Sequence, residues 1–198
     1  MIPVAAQLEP ALFDDEVRKP GRAWLKKNGI PLDKAPPEPS KLPTYWRNTQ
    51  KELWTSYEGV CAYICVYFYW SLGAHSTDHF IAKSSHAGQA YEWPNFRLSC
   101  MGANRKKNKF DDILDPFEID PDTFVLNFAS GKIKPNPTFS QEVQAKAQAT
   151  IDRLKLNDPD MRRMRSEHYD EYLRGVPEWK LQKDSPFVWY EAKRQGLL

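Results

Sequence analysis

The chain predicts an α+β fold in which two short strands and a helix form the centre, an irregular arm precedes them and helices follow. Three observations carry that expectation. Cys61-Ala-Tyr-Ile-Cys-Val-Tyr-Phe-Tyr-Trp70 is dense in aromatic and branched residues, which suit a half-buried pleated surface. Asn95 to Cys100 alternates weakly and runs into a helical stretch, Asn104 to Phe110, with Gly102 near its start. From Ser140 onward the pattern is helical, with Ser140 as the N-cap and Glu142 in the first turn.

Size and composition set the limits. The 198 residues suit one domain of ordinary size with additions. A hydrophobic fraction of 41% with seven Trp, nine Tyr and ten Phe excludes wholesale disorder. Sixteen prolines predict long exposed loops around that core, as does a mean hydropathy of -0.68. A net charge of +2 is too mild to mark a nucleic-acid partner, so any basic footprint must be local. The first residues, Met1-Ile2-Pro3-Val4-Ala5-Ala6-Gln7, lack the cationic opening and apolar centre of a secretory signal. The longest apolar run, Val60 to Ala74, has about 15 residues against the roughly 20 of a membrane-spanning helix. With an odd number of cysteines, these features predict a reduced, cytoplasmic protein with no membrane partner and no small-molecule cofactor.

Residues 1–45 read as an arm, because Arg18-Lys19-Pro20-Gly21 and the Pro-rich linker Ala35-Pro36-Pro37-Glu38-Pro39 interrupt any sustained period. Arg22, Lys26 and Lys27 around Trp24 and Leu25 fit a short amphipathic turn or a phosphate contact, the turn being the simpler reading. Residues 46–135 form the core. Tyr45 to Tyr57 predicts a helix with Trp46, Leu53 and Trp54 on one face and Arg47, Lys51 and Glu52 on the other. Val60 to Trp70 is then a strand, Ser71 to Ala74 a turn and His75 to Lys83 the returning strand, a hairpin that ends near Asp78-His79. Ser84 to Gln89 is a polar loop. Phe110 to Asp122 is an acidic connector, and Thr123 to Phe128 is a further strand with Ser130-Gly131 as a turn. In the helical region 136–198, Asn157-Asp158-Pro159 stops the helix begun at Ser140 and caps a second one, Asp160 to Arg174. Arg162, Arg163 and Arg165 there fit either a solvated helix face or a backbone clamp. His168 and the aromatic tail (Trp179, Phe187, Trp189, Tyr190) fit packing or docking on a partner.

The chemistry-bearing residues gather between Asp78 and Lys109. Hydrolysis of a phosphodiester near neutral pH needs a base that is neutral there, a cation to offset charge on the phosphate, and ligands that hold that cation. His79 has the titration range of a general base. Asp78 beside it points to the other side of an extended strand. Asn104, near a helix start, presents an amide oxygen suited to the same hard cation, with Asn108 one turn on as a reserve ligand. Mg²⁺ or Mn²⁺ takes few protein oxygens and keeps several waters. Asn95 can hydrogen-bond the imidazole or the opposing loop and so fix the geometry. Lys83, Arg105, Lys106, Lys107 and Lys109 surround this group and fit contacts to DNA phosphates. His75 and His86 read as loop residues.

Thr77-Asp78-His79-Phe80-Ile81-Ala82-Lys83, Trp93-Pro94-Asn95-Phe96 and Cys100-Met-Gly-Ala-Asn104-Arg-Lys-Lys107 resemble the HNH (ββα-metal, or His-Me finger) endonuclease family. The likeness is strongest to the HNH nucleases of bacterial anti-phage defence systems of the Septu, retron and Zorya kinds. Their frame runs Cys-x-Tyr-Cys, Asp-His-Phe-x-x-Lys-Ser, Trp-x-Asn-Leu and Cys-x-x-Cys-Asn-x-x-Lys, and the match covers roughly residues 60–135 of this chain. The resemblance implies a metal-dependent DNA endonuclease that nicks one strand per site in defence against phage, with other defence proteins as partners. It implies Asp78 and Asn104 as metal ligands, His79 as the group that activates water, and Asn95 as the residue that positions His79. The competing reading is a catalytically inactive DNA-binding or partner-docking module of the same fold.

One departure from the frame matters. Family members often carry paired Cys-x-x-Cys knuckles that share a structural zinc, whereas here Ile64 and Ala103 stand where second cysteines would. A structural zinc site takes four ligands, so the expectation is that the zinc is lost and Cys61, Ile64, Cys100 and Ala103 form an apolar cluster instead. Metal analysis of the purified protein should therefore find no tightly held zinc. One zinc per chain would reverse this reading.

Overall fold

The computed structural model describes residues 1–110 and 112–198, an α+β chain that divides into two compact units. One comprises Ala6–Gly59 and Tyr69–Asp111; the other comprises Met1–Ala5, Val60–Phe68 and Asp112–Leu198. Among the described residues no helix is long and apolar enough to cross a membrane.

The first unit opens with helix α1 (Lys19–Lys27), preceded by a π-helical turn over Asp14–Arg18. This differs from the irregular arm expected for residues 1–45. Pro20 lies inside a continuous helical run, because the π turn leads straight into α1 with Arg18 itself helical; the wider turn, in which the Lys19 N–H donates to the Asp14 carbonyl, is where the helix takes in the proline. Phe13, Val17 and Leu25 are fully buried, and burial of each such side chain contributes about 2 kcal/mol. Phe13 meets Trp93 and Phe96 edge-on, with centroids 5.4 and 5.5 Å apart. Arg18 and Arg22 both pair with Glu92, at 2.9 and 2.6 Å, which settles Arg22 as a helix tie rather than a phosphate contact. The expected helix over Tyr45–Tyr57 appears as a 3₁₀ turn, Tyr45–Arg47, followed by α2 (Gln50–Ser56).

Two strands, β1 (His75–His79) and β2 (Phe96–Cys100), pair antiparallel with His75 opposite Cys100 and His79 opposite Phe96. Helix α3 (Met101–Lys107) follows β2 directly, and the Met101 N–H donates to the Ala74 carbonyl at 2.8 Å. The order strand, strand, helix agrees with the expectation, and β1 falls within the strand expected over His75 to Lys83, but its partner is β2 and not Val60–Trp70. Val60–Trp70 forms no strand. Cys65 adopts a left-handed φ of 51°, Cys65 N–H donates to the Cys61 carbonyl at 2.9 Å, and only the isolated bridge Val60–Tyr67 remains. The Tyr67 N–H is taken by the Asp184 carbonyl at 3.0 Å, so its backbone is satisfied without a strand partner. Residues of high β-propensity are here used for burial in a turn, with Cys61 and Tyr63 fully enclosed.

The second unit is built on a hairpin, β3 (Phe124–Asn127) with β4 (Lys132–Pro135), turned at Gly131. Helix α4 (Gln141–Leu154) starts as expected at Ser140, whose hydroxyl accepts from the Val143 N–H. Helices α5 (Pro159–Leu173), α6 (Glu178–Asp184) and α7 (Pro186–Arg194) complete it. Phe124, Leu126, Ile133, Ile151, Leu154 and Phe187 form its core. Glu191 is buried, yet its carboxylate accepts from the Leu126 N–H at 2.7 Å and from Arg194, so the buried charge is satisfied. Arg165 is buried too, donating to the Gly131 and Leu156 carbonyls at 2.8 and 2.6 Å, and Arg162 donates to the Ser130 carbonyl. Both clamp the hairpin turn of their own unit, while Arg163 lies exposed beside Asp160. Phe187 packs inside, whereas Trp179 is exposed.

Gly21 is where α1 meets the segment that carries the site, because a Cβ there would overlap the ring of the buried Tyr91. Gly21→Ala should lower the urea midpoint by the equivalent of about 1–3 kcal/mol, the usual cost of overpacking a closed contact.

Candidate functional site

The elements of the first unit converge on a cavity of about 980 Å³. Its walls come from β1 (His75 to His79), α3 and the residues after it (Met101, Asn104, Arg105, Asn108, Lys109), the connector from β1 (Ala82 to Ser84), and the stretch Pro39 to Gln50. Asp78, His79, Asn104, Asn108, Lys83, Arg105 and Lys109 all line it, so seven of the ten residues singled out from sequence meet in one place. Asn95, Lys106 and Lys107 do not.

His79 is only 8% exposed. Its Nε2 lies 3.1 Å from the Ala90 carbonyl oxygen, which can only accept, so Nε2 carries the proton and Nδ1 keeps the lone pair. The edges and faces of Trp46 and Phe96, with centroids at 4.8 and 5.1 Å and near-perpendicular rings, hold the imidazole in place. Burial pushes the His79 pKa down to about 3, helped by the charges of Lys83 and Lys107 and opposed by the bond to Ala90. The ring is therefore neutral across the physiological range.

Asn95 secures the segment between β1 and β2. Its Nδ2 donates to the Ile81 and Gln89 carbonyls, both at 2.9 Å, and its Oδ1 accepts from the Ile81 N–H at 2.7 Å. Of the two roles open to it from sequence, it takes the bond to the opposing loop. It is a positioning residue: Gln89 precedes Ala90, so the same bonds fix the carbonyl that orients His79.

Lys107 corrects the sequence reading. Expected on a DNA-facing surface, it has a side chain that is 0% exposed and whose ammonium lies 3.3 Å from Asp78 Oδ2. It also donates to the His79 and Phe80 carbonyls at 3.1 and 3.0 Å. Helix α3 carries its seven residues with Lys107 on the inner face beside Ala103, and Asn104, one turn earlier, on the cavity side. Lys106 is half-buried and does not line the cavity. His75 is likewise no loop residue: it lies on β1 and lines the cavity, its ring stacked on Trp70 at 3.7 Å. His86 is exposed in the connector.

Asn104 donates through Nδ2 to Ser76 Oγ at 2.5 Å, which leaves its amide oxygen as a cavity acceptor. Asp78 and Asn104 thus supply hard oxygens to one cavity, and the donor set fits a divalent ion that takes one or two protein ligands and keeps its waters. Among the described residues no group of three or more His, Cys, Asp and Glu could hold a metal. Cys61 and Ile64 belong to one unit and Cys100 and Ala103 to the other.

Arg47 is the residue that sequence reasoning missed. On its helical stretch it read as part of the solvated face, and it stands instead on the cavity wall. With Lys83, Arg105 and Lys109 it makes, among the described residues, four cations against a single lining carboxylate, Asp78, in a chain whose net charge is only +2. The basic footprint is local. No protein-family profile and no curated protein matches the chain.

In the unfolded chain His79 protonates at its ordinary value near 6.5, whereas in the fold it does so only at about 3. The unfolded state therefore holds the extra proton between these values. The stabilisation is complete above pH 6.5 and is lost as pH falls toward 3, at up to about 1.4 kcal/mol per pH unit. Urea midpoints between pH 4 and 7.5 should fall more steeply on acidification in wild type than in His79→Gln. That difference separates His79 from His168, whose pKa burial also lowers.

Proposed function

We propose that this chain is an HNH-type, metal-dependent endonuclease that hydrolyses DNA phosphodiester bonds. One observation carries the reading: a neutral imidazole, oriented by a backbone carbonyl, lines the same cavity as Asp78 and Asn104, in surroundings otherwise cationic. A polyanionic backbone is the ligand such a field attracts.

In this reading His79 Nδ1 accepts a proton from water as the water oxygen bonds to phosphorus. The P–O3′ bond breaks and the leaving 3′ oxygen takes a proton from solvent water, which leaves a 5′-phosphate and a 3′-hydroxyl. Asp78 and Asn104 would hold the divalent ion, Mg²⁺ or Mn²⁺, which when bound offsets charge on the phosphate and the leaving oxygen. Lys107 keeps the Asp78 carboxylate in place from behind. A base with a pKa of about 3 is weak, but the anionic phosphate entering beside it favours the imidazolium and raises that value toward the working pH. One site cuts one strand, so a single chain nicks. A role in defence against phage follows from the likeness of the Asp78-His79, Asn95 and Asn104 frame to defence nucleases.

The lack of a larger acidic or imidazole group among the described residues favours a second reading, a DNA-binding module without catalysis. A nuclease loses activity when chelator removes the ion, whereas a binding module retards DNA in a gel regardless. Supplied with Mg²⁺, wild type should convert supercoiled plasmid to open circles and His79→Ala should fall by at least about 100-fold, the lower range for a lost general base. Equal nicking by the variant, with its fold intact, would overturn the proposal.

A further inference from the structure

Two cations share the cavity with His79. Arg47, at the end of the turn Tyr45–Arg47, makes no side-chain hydrogen bond or ion pair among the described residues, and neither does Lys83. Both line the cavity, and Asp78, the one lining carboxylate among the described residues, is already matched by the buried ammonium of Lys107. Trp46 seats one of them, Lys83. Trp46 is buried, it packs edge-on to His79 at 4.8 Å, and the Lys83 ammonium sits over its ring at 4.6 Å, while Arg47 is the next residue in the chain. The ring that packs against the imidazole thus also seats the Lys83 ammonium, and Arg47 enters the same cavity from the next position in the chain. Burial and the like charge of Arg47 hold the Lys83 ammonium below the ordinary lysine range, opposed by Asp78, which places the two cations within each other's field.

Two like charges facing one cavity repel each other unless an anion stands between them. Arg105 differs, since its Nε is tied to the Met101 carbonyl of its own helix at 3.4 Å. We infer that Arg47 and Lys83 together grip the non-bridging oxygens of the phosphate under attack, Arg47 being a catalytic residue supplied from outside the strand–strand–helix element. This rests on the phosphodiester reading of the cavity. The planar guanidinium offers two parallel N–H donors to two phosphoryl oxygens, and the ammonium adds a point charge. Negative charge grows on those oxygens in the transition state, so the pair favours the transition state over the bound substrate. The sequence left Lys83 as a general backbone contact and Arg47 unassigned; the seat of Lys83 on Trp46, with Arg47 next to that ring in the chain, distinguishes the pair from Arg105 and Lys109.

The test compares Arg47→Ala, Arg47→Lys, Lys83→Met and, as a control far from the cavity, Lys26→Ala, all in the full chain. Plasmid nicking is measured under steady state with Mg²⁺. Binding of a short fluorescein-labelled duplex is measured separately in chelator. Arg47→Ala should lower kcat by about 100-fold with KM changed by less than about threefold, and Arg47→Lys should recover no more than about a tenth of the loss. Lys83→Met should act on kcat as well, and Lys26→Ala on neither constant. A wild-type kcat in Arg47→Ala, or an effect confined to KM, would reduce Arg47 to an ordinary backbone contact and overturn the inference while leaving the nuclease reading in place. Should wild type not nick at all, the nuclease reading falls. The duplex titration then decides: weaker binding by both Arg47→Ala and Lys83→Met supports an anion clamp, and wild-type affinity in either overturns it. Arg47 is exposed, so an unchanged urea midpoint is expected and excludes misfolding as the cause.

Discussion

The ammonium of Lys107 is the contact on which the rest of the site depends. It ends helix α3 inside the protein, where it bridges the Asp78 carboxylate and the carbonyls of His79 and Phe80. A buried cation without such partners would cost several kcal/mol, and so would the Asp78 carboxylate, only 2% exposed, if left alone. Each charge makes the other tolerable. The same three bonds carry the end of strand β1 against the helix and so fix the residues at both ends of the cavity wall. The pair adds little net stability compared with apolar packing, but it specifies one arrangement of strand and helix.

Around that anchor the unit separates two electrical tasks. His79 is kept neutral by burial among Trp46 and Phe96 and oriented by a single carbonyl, while the permanent charges stand around it on the cavity wall. A protonated imidazole would be an unfavourable neighbour of Lys83. Asn95 makes the arrangement rigid through three backbone bonds across the connector, and none of them reaches the ring itself. The N-terminal segment, far from being an arm, packs Phe13 and Gly21 against the connector and delivers Trp46 and Arg47 to the far wall.

The site was legible in the sequence to the extent that its residues are close in the chain and governed by local rules. Asp78-His79, Asn95 and Asn104 could be named because their side-chain chemistry suits a base, a hard cation and a positioning bond and because they stand in the order of the HNH frame they resemble. Ser140 as a helix cap and the Phe124–Asn127 strand were readable because turn chemistry and short-range periodicity act there. Lys107 was misread because a lysine in a basic run looks solvated, and only the three oxygens gathered around it from β1 and the residue beyond make its burial possible. Val60–Trp70 was misread because apolar aromatic residues signal burial without saying what shape the backbone takes; a left-handed Cys65 decided that.

By itself, the sequence determined the α+β class, the order strand, strand, helix, and the residue types able to bind phosphate or a hard cation, since these follow from local propensity and from the chemistry of each side chain. The tertiary structure decided which strand pairs with β2, that Lys107 turns inward, that His79 is neutral, and that Arg47 joins the cavity. Each of these depends on what lies nearby in space but distant in sequence: a carboxylate opposite an ammonium, an indole against an imidazole, a turn from the N-terminal segment closing over a strand.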